Sequence, residues 1–106
     1  MNNILNDLGG LYHDFSLFGV NNKQLEGIFP INQAAKFPCI LAYMSHAIAK
    51  CRKRTKDEVT FTELFCADAF YSILATKLKC NQCYAIDVNI NTGQSVAQRF
   101  PLHPQQ

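Results

Sequence analysis

Val59-Thr60-Phe61-Thr62-Glu63-Leu64-Phe65 opens the stretch that decides the fold, and Cys83-Tyr84-Ala85-Ile86-Asp87-Val88 closes it. Both runs are short, apolar and rich in β-branched or aromatic residues, the signature of strands. Between them, Phe70, Ile73, Leu74 and Leu78 recur at the spacing of one helix face within residues 69–79. Strand, helix and strand over residues 59–88 predict one βαβ unit. Its crossover is right-handed and its strands parallel, with the helix on one face of the sheet. Ligands of such sheets bind beyond the carboxyl ends of the strands. Those ends hold Glu63 to Ala69 and Asp87 to Asn89, so two acids 24 residues apart in sequence reach one rim.

Upstream, Phe37, Ile40, Leu41, Met44, Ala47 and Ile48 predict a helix over residues 34–54, with Pro38 in its first turn, where a missing N–H costs little. Lys50-Cys51-Arg52-Lys53-Arg54-Thr55-Lys56 ends it. These cations complement the helix dipole and keep the surface solvated, and they are the one feature compatible with a nucleic-acid partner. Ile4, Leu5, Leu8, Leu11, Tyr12, Phe15 and Phe18 predict an amphipathic helix over residues 1–18, weakened by Gly9-Gly10. Residues 19–35 read as a connection, 92–100 as the start of a further helix, and the proline-containing tail 101–106 as an end to regular structure.

Composition bounds the rest. The 106 residues are 48% apolar and 17% charged, a core-forming globular composition. A net charge of +2 argues for no nucleic-acid partner by itself. No run approaches the roughly 18 apolar residues of a membrane span, and the first residues lack a secretory pattern. The expected location is the cytoplasm, with free thiols at all five cysteines. Cys39 and Cys66 sit in apolar surroundings and are expected to be buried. Cys80-Asn81-Gln82-Cys83 has the spacing of half a zinc site or a redox pair. It lies where a helix exits into a strand and has no second half, so it reads as structural thiols. His13, His46 and His103 are scattered, with His46 at the surface or boundary of the main helix. Their spacing supports no nucleophilic triad and no metal site.

The stretch Glu63-Leu64-Phe65-Cys66-Ala67-Asp68-Ala69-Phe70-Tyr71-Ser72, followed by Tyr84-Ala85-Ile86-Asp87-Val88-Asn89, resembles motifs I and II of class I S-adenosylmethionine (SAM)-dependent methyltransferases. The resemblance covers about a third of the chain directly. It implies a truncated Rossmann-like methyltransferase fold, α/β in class, with N-terminal helices followed by one βαβ unit. It further implies that Glu63 serves the methionine ammonium and that the turn Phe65, Cys66, Ala67, Asp68 and Ala69 passes beneath the cofactor. Asp87, followed by Val88, would accept the ribose hydroxyls. Asp68 is expected chiefly to cap the helix beginning near Ala69. The family usually places three glycines where this chain has Phe65, Ala67 and Ala69. Glycine admits a positive φ that alanine and phenylalanine resist.

The expected organisation is an N-terminal helical segment over 1–33, a partial SAM-binding domain over 34–100 and a tail over 101–106. The family's core has seven strands and this sequence supplies two. The chain is therefore expected to be a fragment or shortened relative, catalytically incomplete, with its methyl acceptor unread. Unpaired sheet edges are expected to favour self-association. Two other readings stay open: a non-enzymatic interaction module retaining the scaffold, and a dinucleotide-binding oxidoreductase fragment, although the turn at 65–69 lacks Gly-x-Gly-x-x-Gly.

Overall fold

The computed structural model describes residues 10–55, residues 58–88 and, as backbone alone, residues 103–105. Its elements are α1 (Ile28–Thr55), β1 (Thr60–Leu64), α2 (Phe70–Lys77), β2 (Gln82–Ile86) and β3 (His103–Gln105). β1 and β2 pair in parallel, from Thr60 opposite Gln82 to Leu64 opposite Ile86. The βαβ reading of residues 59–88 is therefore correct, within one to three residues at each end. The protein is an α/β domain with a generic Rossmann-like arrangement.

Strand alternation places the core. Cys83 and Ala85 of β2 are buried, and their register partners Phe61 and Glu63 are half-buried on the same face, against α2. Phe70, Ile73, Leu74 and Ala75 of α2 are buried in turn. Phe37, Ile40, Leu41, Met44 and Ile48 bring the apolar stripe of α1 onto the same core. On the other face, Thr60, Thr62 and Leu64 are exposed.

Several expectations require correction. The tail does not end regular structure: β3 pairs in parallel with β2, Tyr84 opposite His103 and Ile86 opposite Gln105. An edge strand tolerates Pro104 because one side of it needs no hydrogen-bond donor. The sheet order is β1-β2-β3, all parallel, so the sheet has three strands rather than two.

The N-terminal helix is the second. Residues 1–9 lie outside the described residues, as does the helix expected over 92–100. Residues 10–18 form a bridge from Leu11 to Gln24 and a 3-10 turn at Ser16–Phe18. Side-chain amides capture the backbone there. Asn22 accepts the Phe15 N–H at 2.8 Å and donates to the His13 carbonyl at 3.0 Å. The periodic residues Leu11 and Phe15 are still buried, but by a folded-back loop.

Third, α1 begins at Ile28, six residues before Ala34, which places Pro38 in its interior. Tertiary contacts hold the added turns. Phe29 packs on Tyr12 at 5.3 Å, and the Gln33 amide accepts the Asp14 N–H at 2.8 Å. The same face pattern leaves Cys39 exposed, against expectation, whereas Cys66 is buried. No described helix is long and apolar enough to cross a membrane.

Candidate functional site

β1 and β2 run side by side, so their carboxyl ends bring Glu63, the turn 65–69, Asp87 and Val88 to one rim. The turn is built in an unusual way. Phe65, Ala67 and Ala69 have φ of 56°, 52° and 64°, all in the left-handed region. Left-handed backbone costs a residue with a Cβ roughly 1–2 kcal/mol. These alternate positions are the ones at which glycine would have been free of that cost. Three amides of the turn are tied down. The Cys66 N–H continues the ladder to the Ile86 carbonyl at 3.0 Å, and the Ala69 N–H reaches the Cys66 carbonyl at 2.7 Å. The Ala67 N–H donates to Asp87 Oδ2 at 2.9 Å, clamping the turn to the end of β2.

Glu63 and Asp68 have different surroundings. Glu63 Oε1 accepts the backbone N–H of Ser72 at 3.0 Å and its hydroxyl at 2.7 Å. Glu63 thus satisfies a first-turn donor of α2. Burial outweighs these hydrogen bonds and pushes its carboxyl from 4.5 up to about 7. Asp68 is fully buried. It does accept the Phe70 N–H at 3.3 Å, as a capping acid would, although the residue at the cap position is Ala69.

The main partner of Asp68 was not readable in the sequence. His13 donates its backbone N–H to Asp68 Oδ2 at 2.9 Å, and its ring Nδ1 lies 2.9 Å from Oδ1. The imidazole is stacked on Phe70 at 4.6 Å and meets Tyr71 edge-on at 5.5 Å. This staple pins the N-terminal segment to the rim across 55 residues of sequence. A buried carboxylate needs such partners to offset its lost hydration.

The rim is apolar where it faces outward: Leu64, Phe65 and Val88 are 64%, 83% and 83% exposed. Three of the thiols are held in the protonated form by burial. Burial raises Cys66 and Cys83 to about 12 and also raises Cys80, so all three are protonated at neutral pH. Among the described residues no three metal-binding side chains lie together.

No family model, curated protein or solved structure matches this chain. The Rossmann-like arrangement and the chemistry of the rim therefore carry the functional argument.

Proposed function

We propose that this rim binds SAM and that the chain is a methyltransferase-type protein, built on the cofactor-binding part of that fold. The observation that carries the reading is the run of left-handed residues at Phe65, Ala67 and Ala69. Three such residues together cost roughly 3–6 kcal/mol, a large part of the 5–15 kcal/mol stability of an ordinary domain. Backbone strain of this kind concentrates where a ligand must be cradled. The alternate positions coincide with the glycines of the motif that the sequence resembles.

The residues around the turn fit the same ligand. Asp87 sits on a rigid strand end, where a carboxylate can accept paired hydroxyls. Exposed Phe65 and Val88 supply apolar surface for a ring. Glu63, held at the start of α2 by Ser72, would in its ionised form attract the ligand's ammonium. SAM would supply an electrophilic methyl group on a sulfonium. The protein's part is to bind and orient it.

Calorimetric titration with SAM and its demethylated product tests the proposal. Saturable binding is expected, abolished by Asp87→Ala. Affinity should also depend on pH through Glu63, whose near neighbours are Ser72, Asp68 and His13. The carboxyl is protonated below about 7, and the ionised form is the one that attracts an ammonium. Binding should therefore tighten as pH rises from about 5.5 to about 7.5, and Glu63→Gln should flatten the profile. A folded chain that binds neither compound would overturn the reading.

A further inference from the structure

A cavity of about 350 Å³ opens between the N-terminal segment, the first half of α1 and the rim turn. That volume is within the range of small-molecule sites. Aromatic side chains Tyr12, Phe29 and Tyr71 line it, and its floor includes Ala67 of the strained turn. His13 forms part of the wall, its ring held by Phe70 and Asp68. In the neutral ring, a carboxylate partner places the proton on Nδ1 and leaves Nε2 as an acceptor, and Nε2 has no hydrogen-bond partner among the described residues. Lys36 adds a cation to the same lining and makes no ion pair among the described residues.

This combination selects a ligand. An apolar guest would strip water from Lys36 and His13 without replacing its hydrogen bonds. A bare phosphate would leave three aromatic side chains without a use. We infer that the cavity binds a nucleotide unit: a base against the aromatic walls, one of its N–H groups donating to His13 Nε2, and a phosphate at Lys36. Because Ala67 belongs both to this lining and to the rim turn, the base would lie beside the cofactor site. Its role as methyl acceptor rests on the SAM reading, whereas nucleotide binding does not. On that reading a new N–C bond forms as the S–CH3 bond breaks, sulfur keeps the electron pair, and the N–H proton passes to His13.

The nucleotide unit is either free or part of an RNA strand, and one titration separates the two. The full chain is titrated by NMR with the four ribonucleoside monophosphates, the matching nucleosides, inorganic phosphate and a short single-stranded RNA. Monophosphates are expected to bind saturably and roughly tenfold more tightly than nucleosides, with Lys36→Gln erasing that difference and leaving SAM affinity unchanged. Tyr12→Ser should weaken the nucleosides, the nucleoside monophosphates and the RNA. Tighter binding of the RNA than of any monophosphate identifies a strand as the source, and equal binding identifies free nucleotide. Inorganic phosphate binding as tightly as the nucleotides overturns the proposal, as does their displacement by SAM. So does a folded chain that binds none of the nucleoside monophosphates and no RNA, whether or not it binds SAM. Nucleotide binding without SAM binding keeps the site and removes the acceptor role.

Discussion

Ala67 is the residue at which the strain of the rim turn can be measured most directly. It is half-buried, its φ is 52°, and its N–H is already held by Asp87. A glycine there loses the left-handed penalty and keeps that hydrogen bond, while its unfolded state gains entropy. The net expectation for Ala67→Gly is a gain of about 1 kcal/mol, or several °C in Tm by calorimetry. Ala75→Gly, inside α2 and buried, should move the other way by at least about 1 kcal/mol. A loss at both sites would mean that Ala67 does not hold a left-handed backbone. At this scale the sequence was partly legible. The motif located Phe65, Ala67 and Ala69 as the critical positions, but side-chain identity argued against the backbone they adopt. His13 was out of reach, because no spacing rule connects a residue to a partner 55 positions away.

Among the elements, the βαβ unit was legible because its signals are local: two short apolar runs with a helical period between them. α1 was legible only where its apolar stripe meets the core. Its first six residues, Ile28 to Gln33, carry no such stripe and are held by Tyr12 and Asp14 from another segment. The consequence falls on Pro38. In a helix beginning at Ala34 it would be harmless; in one beginning at Ile28 it removes an interior hydrogen bond to the Ala34 carbonyl. Pro38 is exposed, so its replacement disturbs little packing. Pro38→Ala should restore the bond and stabilise the domain by about 2 kcal/mol, after subtracting the entropy that proline removes from the unfolded chain. A higher urea midpoint with an unchanged m-value would bear this out. An unchanged midpoint would mean that α1 is already bent to accommodate the ring.

For the whole molecule, the order β1-β2-β3 matches the strand order of one half of a doubly wound sheet, in which the first strand is normally central. Here, among the described residues, β1 pairs on one side only, and its outward face carries Thr60, Thr62 and Leu64 in exposed positions. Parallel sheets are ordinarily covered on both faces, and an open edge presents unpaired backbone groups to any strand that approaches. The sequence foresaw open edges from the strand runs at 59–65 and 83–88. It did not foresee that the tail would cover the edge of β2, because Pro101 and Pro104 read as breakers unless the strand lies at a sheet's margin. Among the described residues the outer sides of β1 and β3 are then both open, and β1 is the one without a proline to blunt it, so it is the edge to test first. The weight-average mass of the chain in sedimentation should rise with concentration. Thr62→Lys, which places a solvated charge on the open face at the edge, should hold it at the monomer value without lowering Tm. A wild-type chain that stays monomeric at every concentration would show that β1 is covered, and the first place to look for the cover would be elsewhere in the chain. Association that persists in Thr62→Lys would instead transfer it to the apolar rim, where Leu64, Phe65 and Val88 are exposed. SAM should then compete with it, since the proposed ligand covers Phe65 and Val88.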